Sequence, residues 1–341
     1  MDASTLLISL LNGLSTGLLL FMLASGLTLI FSMMGVLNFA HASFYMLGAY
    51  VACTIAQVAG FWWGLLLAPL VVGCAGAAFE RYALRRVHRF GHVPELLITF
   101  GLSYIVLELV QLVWGRQALE FLPPESLRGP VMTIIELPGH LAFAWGAPPP
   151  ECKSVATAVC TQFPSFRAFG MGVAVAMLVA VWLLFTRTRI GLVIQSALTH
   201  PEMAEALGHN VPRVFMLVFG GGTALAALAG VIGGAMQVTE PGMAQAVGAV
   251  VFAVIVIGGM GSLAGAFAAS VLLGVLNSFA VSSDRSLLDL FHALNWAAGP
   301  DTPGYALWSV KISQVAAILP YLLLVLILIF RPKGLLGTRE G

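Results

Sequence analysis

Ionisable side chains are scarce in the apolar part of this chain, and the few that are present stand alone. No Asp, Glu, Lys or Arg lies between Asp2 and Glu80, and His41 is the one histidine in that stretch. Glu108 lies in the middle of the apolar segment GLSYIVLELVQLVWG. A membrane enzyme needs a cluster of nucleophiles, acids or metal ligands, and an ion-coupled carrier needs ionisable groups inside its bundle. The isolated residues of this chain favour neither.

Sequence patterns that accompany catalysis or nucleotide binding are absent as well. The chain contains neither H-E-x-x-H nor the phosphate loop G-x-x-x-x-G-K-[ST]. We therefore expect no catalytic residue, no metal and no cofactor. His41 is then either a pathway residue or a hydrogen-bonded structural one. Glu108 is either a pathway residue or polar anchor, or a helix residue near the outer interface.

Two interruptions of long apolar segments carry polar side chains and glycines. Such interruptions are tolerated at membrane depth where they are buried in protein or line a cavity, and a pair of them in two halves points to a transport path. We predict that the path is lined by residues of both interruptions. In the alternative, the glycines only allow close helix packing. The predicted path residues are Asn38, His41 and Ser43 in the first interruption, and Gly259, Gly261 and Ser262 in the second.

The segment THPEMAEALGHNVPR is typical of a short helix with its own start and stop signals. Thr199 is predicted as the N-cap with Glu202 completing a capping box, and Gly208 is predicted as the left-handed stop ahead of Pro212. A loop specified so closely indicates a docking element. The alternative is a connecting helix that lies on the membrane surface. The docking residues would be Glu202, Met203, Glu205, Ala206, Leu207 and Gly208.

The four cysteines fall into two groups. Cys53 and Cys74 lie in apolar helical segments and are interpreted as small core residues. Cys152 and Cys160 lie in a long polar connection, PPPECKSVATAVCTQFP, and are predicted to form a disulfide. Two free thiols are the alternative.

The elements that position these residues must be membrane helices. Of 341 residues, 59% are hydrophobic and 9% are charged, whereas soluble domains carry about 25% charged residues. We predict an all-α polytopic transmembrane bundle with about 8 membrane segments, some of them broken or re-entrant, forming a single transmembrane domain over residues 1–341. The predicted helices lie near 5–32, 43–60, 62–82, 94–115, 169–187, 213–237, 247–281 and 314–331.

The distribution of basic residues predicts which connections face the cytoplasm. Three basic segments are assigned inside, and one of them makes 188–212 a cytoplasmic loop. The stretches 116–167 and 281–311 have mixed charge and are placed outside. The side of the amino terminus stays open, with the outside favoured, because three crossings then bring the first basic cluster to the cytoplasm. The basic residues are Arg81, Arg85, Arg86 and Arg89, then Arg187, Arg189 and Arg213, and finally Arg331, Lys333 and Arg339.

The whole chain resembles the permease subunits of branched-chain amino acid (Liv-type) ATP-binding-cassette (ABC) importers. The resemblance is carried by several motifs in the same order along the chain. They are NGLSTGLLLFMLASGLTLIFSMMGVLNFAHASFYMLGAY, FERYALRRV, RIGLVIQSALTHPEMAEALGHNVPRVFMLVFGGGTALAALAGVIGG, AVVFAVIVIGGMGSLAGAFAASVLLGVL and FRPKGLLG.

The resemblance implies a multi-pass protein of the bacterial inner membrane that is not an enzyme. Its expected partners are separate cytoplasmic ABC ATPases, a second permease (usually forming a heterodimer), a periplasmic solute-binding protein and membrane lipid, with no nucleic acid. The helix from Glu202 to Gly208 would be the coupling helix. An autonomous secondary transporter or channel for a small polar solute is the alternative.

One departure from the family pattern concerns the substrate. The family usually has a glycine and an acid after NFAH, where this chain has Ala42 and Ser43. A neutral or anionic solute is therefore more plausible than a cationic one. Branched-chain or other hydrophobic amino acids, and related amides or carboxylates, all remain candidates.

Overall fold

The computed structural model describes residues 3–35, 37–137, 140–149, 152, 159–286, 288–289 and 305–337. In this part of the chain eight helices are long and apolar enough to cross a membrane, and a shorter apolar helix, Met243–Gly258, accompanies them. The predicted polytopic helical bundle is confirmed. The helices are α1 (Ala3–Met34), α2 (His41–Ala59), α3 (Phe61–Phe79), α4 (Arg85–His88), α5 (His92–Trp114), α6 (Ser165–Arg187), α7 (Arg189–Thr199), α8 (Pro201–Ala206), α9 (Val211–Met236), α10 (Met243–Gly258), α11 (Leu263–Val281), α12 (Tyr305–Trp308), α13 (Ile312–Val315) and α14 (Leu319–Phe330).

The predicted break within 247–281 is present as two helices. α10 ends at Gly258, and Gly259 and Gly261 have φ values of 100° and 86°, a region that favours glycine. Ser262 then caps α11, because its side chain accepts a hydrogen bond from the backbone N–H of Gly265 at 3.0 Å. The two helices form a hairpin whose turn is built from these residues.

Close backbone contacts hold the centre of the bundle together. α1 lies along α11, where the Ser278 hydroxyl donates to the carbonyl of Ser9 at 2.7 Å. α2 lies along α9, where a Cβ atom at Gly230 would overlap the carbonyl oxygen of Tyr45. Without a hydrophobic force between helices in lipid, such close packing is a main source of association. The largest fully buried side chains include Phe21, Met22, Leu23, Tyr45, Tyr50 and Phe219.

α3 does not end as a plain α-helix. A π-helical turn, Glu80–Leu84, follows it and leads into α4. The guanidinium of Arg85 donates to both carboxylate oxygens of the buried Glu80, at 3.2 and 2.7 Å, and to the carbonyl of Pro212 at 2.6 Å. This arginine therefore ties the end of α3 to the start of α9.

A small antiparallel sheet in the polar connection 116–167 was not predicted. Its strands are β1 (Pro130–Leu137), β2 (His140–Trp145) and β3 (Val159–Pro164), in the order β2-β1-β3. Cys152 and Cys160 form a disulfide with an S–S distance of 2.01 Å. Residues 138–139, 150–151 and 153–158 of this connection lie outside the described residues.

One contact shows that the start of α1 and the sheet lie at the same end of the bundle. The carboxylate of Glu136 in β1 accepts a hydrogen bond from the backbone N–H of Ser4 at 3.2 Å, so the start of α1 lies on the same face as the sheet, here called the outer face. This agrees with the favoured location of the amino terminus. Most of the predicted outer stretch 281–311 and the basic Arg339 lie outside the described residues.

Candidate functional site

Asn38 shapes the first interruption. Its side chain is buried, and its Oδ1 accepts from the backbone N–H of Ala40 at 3.0 Å. The backbone N–H of Phe39, between these two residues, donates to the Thr99 hydroxyl of α5 at 3.4 Å. Local side-chain bonds of this kind replace the helical ladder, and they fix the path of the chain between α1 and α2.

His41 is the first residue of α2 and lies deep in the protein, with 1% of its surface exposed. Its Nε2 is 3.0 Å from the carbonyl oxygen of Leu23 in α1, so this nitrogen carries the proton and donates. The geometry favours the structural interpretation of His41, because the bond pins the start of α2 against the middle of α1.

Ser43 borders a cavity of about 310 Å³ between α2, α5 and α10. Its hydroxyl is 3.5 Å from the carbonyl oxygen of Ser103. Aromatic rings form much of the wall, and Phe39 lies 5.1 Å from Phe252 between ring centroids. The lining residues are Phe39, Ala42, Ser43, Phe100, Ser103, Tyr104, Ala244, Gln245, Gly248, Ala249 and Phe252.

The second interruption borders different spaces. The backbone N–H groups of Leu335 and Leu336 donate to the carbonyls of Ile257 and Gly258 at 2.8 and 3.0 Å, so the segment after α14 covers Gly259. Gly261 lines a separate cavity of about 250 Å³ together with Leu29, Ser32, Trp182, Phe185, Ile194, Gln195, Val218 and Leu263. The structure therefore does not bring the two predicted sets of path residues into one cavity.

A polar face of α5 adjoins the first cavity. Tyr104 borders both that cavity and a larger one of about 570 Å³, whose lining also includes Ile105, Glu108, Leu109, Gln111, Leu112 and Arg116. Tyr104, Glu108 and Gln111 are spaced by four and three residues, so they share one face of the helix. The chain itself leaves this face of α5 largely uncovered. The polar positions Ser103, Tyr104, Gln111, Arg116 and Gln245 were missed from the sequence, although the spacing around Glu108 was a usable signal.

A buried carboxylate, that of Glu95, lies next to the first interruption. Glu95 has 1% of its surface exposed, accepts from His88, and lies 3.7 Å from His92. Its Oε2 and the Nδ2 of Asn38 have no hydrogen-bond partner in the described part of the chain, and both residues line the same small cavity. This arrangement was not predicted, because Glu95 follows a basic cluster and its position is typical of an exposed helix start.

The short helix predicted between Thr199 and Gly208 is present as α8, but its N-cap was wrongly predicted. Thr199 is the last residue of α7, and its hydroxyl donates back to the carbonyl of Gln195 at 3.1 Å, so it is unavailable as a cap. His200 is the N-cap of α8, without a side-chain bond, and Pro201 occupies the first turn. Gly208 has φ 85°, as predicted for the stop.

The surface of α8 is nearly all exposed. Ala204 alone is buried, against Ala197 and Val211. Met203 and Leu207 are 63% and 78% exposed. The predicted docking residues Glu202, Met203, Glu205, Ala206, Leu207 and Gly208 are all exposed.

No group of three or more His, Cys, Asp or Glu side chains in the described part of the chain could hold a metal ion. The candidate site therefore has three parts. They are the polar face of α5, the cavity beside Ser43, and the exposed segment 201–208, here called the knob.

Comparison with known proteins places these features in a family. A family model described as branched-chain amino acid transport system, permease component, matches residues 9–328. The chain is 28% identical over 343 residues to the high-affinity branched-chain amino acid transport system permease protein BraD of Pseudomonas aeruginosa, covering 97% of this chain and 95% of that protein. It is 26% identical over 340 residues to the permease protein LivH of Escherichia coli K12, covering 96% and 94%.

A more distant relative and one solved structure also match. The probable branched-chain amino acid transport permease protein LivH of Methanocaldococcus jannaschii is 25% identical over 269 residues, which is 76% of each chain. The structure of PsaBC from Streptococcus pneumoniae in complex with Fab aligns with a TM-score of 0.43 at 13% identity, covering 94% of this chain and 91% of that chain.

Proposed function

Because the chain belongs to the family of branched-chain amino acid transport system permease components, we propose that its solute path follows the polar face of α5 into the cavity beside Ser43. The chain is a multi-pass inner-membrane permease subunit of an ABC importer and not an enzyme. ABC importer permeases work with ATPases and a binding protein, which disfavours an autonomous transporter or channel.

The exposed carboxylate of Glu108 is the observation that carries this proposal. Glu108 lies within α5 and borders the larger cavity with Gln111 and Arg116. A charged side chain facing hydrocarbon is costly, and such residues almost always face a water-filled cavity or another protein group. The face of α5 that carries Glu108 is thus better explained as a wetted path than as a lipid contact.

A second permease subunit supplies the opposite wall in this proposal. α5 also exposes Leu97, Ile105, Leu109 and Leu112 beside its polar positions, and a related chain packed there would enclose the polar groups. We propose a heterodimer, with a second copy of this chain as the alternative arrangement.

The lining of the smaller cavity bears on the substrate. Its polar groups are hydroxyls and an amide, and it contains Phe39, Phe100 and Phe252 but no Asp, Glu, Lys or Arg. Uncharged walls with aromatic rings suit a solute with an apolar side chain. We propose a branched-chain or other hydrophobic amino acid, or a related amide or carboxylate, delivered by a periplasmic binding protein.

The two interruptions take different parts in the proposed mechanism. Ser43 borders the path, while Asn38 and His41 fix where α2 starts. Gly259, Gly261 and Ser262 form the turn between α10 and α11, where the Ser32 hydroxyl of α1 donates to the Gly261 carbonyl at 3.2 Å, and they are proposed as the inner boundary of the path.

Coupling to the ATPase is assigned to α8 in this proposal. Glu202, Met203, Glu205, Ala206, Leu207 and Gly208 are the docking residues, within the cytoplasmic loop 188–212 of a single permease domain. Movement of α8 would reach α3 through the hydrogen bond of Arg85 to the Pro212 carbonyl. A docked ATPase can shift the conformational equilibrium only through contacts that differ between the two states.

Filling the cavity tests the path. Ser103→Trp places a large ring in the cavity, whereas Leu66→Trp places the same ring on the exposed apolar face of α3 and serves as the control. With both variants assembled with their partners in liposomes, we expect ATP-driven uptake to fall roughly tenfold or more for Ser103→Trp, equivalent to about 1.4 kcal/mol, and to stay unchanged for Leu66→Trp. Normal uptake by an assembled Ser103→Trp complex would exclude this cavity from the path.

A further inference from the structure

Three arginines that follow α3 have no anionic partner in the part of the chain that the structure describes. Arg81, Arg86 and Arg89 are exposed, and in the described part of the chain none of them forms an ion pair. Arg85, from the same cluster, is already engaged by Glu80 and Pro212. The other three guanidinium groups therefore remain available to an external anion.

Aromatic rings accompany two of these arginines. Arg81 lies 5.5 Å from the centre of the Tyr82 ring, and Arg89 lies 4.7 Å from the centre of the Phe90 ring. Tyr82 and Phe90 are 61% and 64% exposed. Stacking on a ring orients a guanidinium without neutralising it, so its N–H groups stay free to bind phosphate oxygens.

The position of the cluster on α3 indicates which anion it meets. The exposed face of α3 begins with Trp62 and Trp63, and continues through Leu66 and Leu70 towards Tyr82. At 1.5 Å per residue, Trp63 and Tyr82 are separated by roughly 28 Å, close to the roughly 30 Å of a bilayer's hydrocarbon core. Aromatic residues mark both interfaces of membrane proteins.

We infer that Arg81, Arg86 and Arg89, together with Tyr82, bind the phosphate groups of anionic phospholipids in the cytoplasmic leaflet. Because the exposed apolar face of α3 is about as long as the hydrocarbon core is thick, its end near Tyr82 lies at the depth of the lipid headgroups. The three arginines lie beside Tyr82 at the same depth. Basic clusters directly cytoplasmic of a membrane helix attract anionic headgroups, and guanidinium groups bind phosphate in a bidentate manner. This inference does not depend on the path along α5.

The test compares lipid selectivity of two triple variants. The assembled permease complex is reconstituted in nanodiscs that contain phosphatidylglycerol and phosphatidylcholine, and retained lipid is measured by native mass spectrometry. In R81Q/R86Q/R89Q we expect the preference for phosphatidylglycerol to fall roughly 100-fold, at about fivefold per arginine. The control R187Q/R189Q/R213Q removes the same charge at the ends of other membrane helices, where no ring stacks on the guanidinium groups in the described part of the chain, and it should lose much less of the preference.

Several outcomes would overturn the inference. They are a wild-type complex without preference for phosphatidylglycerol, equal losses in both triple variants, and displacement of the lipid by millimolar inorganic phosphate, which would indicate a soluble anion. A triple variant that retains the lipid but releases the ATPase would assign the cluster to that subunit instead. If the triple variant does not fold, the single variants R81Q, R86Q and R89Q give the same test, with about fivefold expected for each.

Discussion

At the scale of single residues, Glu136 joins the outer sheet to the membrane bundle. The Ser4 side chain lowers the pKa of the Glu136 carboxyl most, partial burial opposes this effect, and the backbone N–H groups of Ser4 and Ala3 lower the pKa further. The ionised carboxylate is therefore the form that fits the start of α1, where unpaired N–H groups favour negative charge.

This lowered pKa predicts a pH-dependent contribution to stability. A carboxyl whose pKa is lower in the folded state stabilises that state above its unfolded pKa, about 4.3 for glutamate, and the contribution is lost as the pH falls through the folded pKa. Glu136→Gln should therefore lower the thermal midpoint in detergent at pH 7, and the difference from wild type should shrink as the pH falls below about 4.3 and through the folded pKa.

Glu125→Gln is the matched control for this prediction, since Glu125 is an exposed acid on the same connection. Its thermal midpoint should follow the wild type across the whole pH range. A constant difference between Glu136→Gln and wild type from neutral to acid pH would mean that the carboxylate charge has no role in holding the sheet.

Single residues also mark the limits of what the sequence could predict. Gly208 was predicted correctly as a stop, because a left-handed position after a short helix is a strong local signal. Thr199 was predicted wrongly as a cap, because α7 continues through it and its hydroxyl is used within that helix. A threonine hydroxyl can cap the helix that follows it or bond back to a carbonyl of the helix that precedes it. Tertiary context therefore decided between the two interpretations.

At the scale of elements, the contact of α2 with α9 depends on the absence of a side chain at Gly230. A Cβ atom there would overlap the carbonyl oxygen of Tyr45. We predict that Gly230→Ala destabilises the protein by about 1–3 kcal/mol, the usual cost of overpacking. The free energy of unfolding in mixed micelles measures this effect.

Gly221 supplies the control on the same helix, because nothing lies within 4 Å of a Cβ atom at that position. Gly221→Ala should be neutral or stabilising by up to about 1 kcal/mol, through helix propensity alone. Equal effects of the two substitutions would show that the close approach of α2 and α9 does not limit stability.

Elements were predicted well where composition alone determines them. The break between α10 and α11 follows from closely spaced glycines, so the sequence predicted it. The π-helical turn at Glu80–Leu84 was not predicted, because it coincides with the buried pair of Glu80 with Arg85, a contact completed by Pro212 from a distant part of the chain. The outer sheet was missed because its short strands lie in a connection rich in proline and glycine.

At the scale of the whole molecule, the exposed α8 predicts how the permease meets its ATPase. E202K/E205K reverses charge on the knob, and M203A/L207A removes its apolar side chains. Either variant should reduce co-purification of the ATPase by roughly tenfold or more, since interface anchors contribute above about 1 kcal/mol each. Pull-down from native membranes with quantitative mass spectrometry measures this, and it also reports whether a second permease is present.

The double reversal E120K/E125K, on the connection that bears the sheet, is the control for charge. It should leave ATPase recovery unchanged. Undiminished recovery with both knob variants would return α8 to the alternative of a connecting helix on the membrane surface.

The molecule as a whole was predicted more completely than its site. Length, apolar composition and basic clusters were sufficient for the bundle, and the family came from the resemblance of several motifs along the chain. The path residues stay a prediction, since Ser43 and Gly261 border separate cavities and the sequence did not predict that separation. Which polar groups share a space depends on helix rotation and depth, and neither is fixed by the hydrophobic pattern of a membrane segment.

The segment after α14 has a consequence for biosynthesis. The carbonyls of Ile257 and Gly258 gain hydrogen-bond partners from Leu335 and Leu336, which the ribosome adds long after the α10–α11 hairpin has entered the bilayer. Until that later segment folds back, the hairpin lacks both of these hydrogen bonds. A chain truncated before Leu335 should therefore hold its α10–α11 turn less firmly than the longer chain.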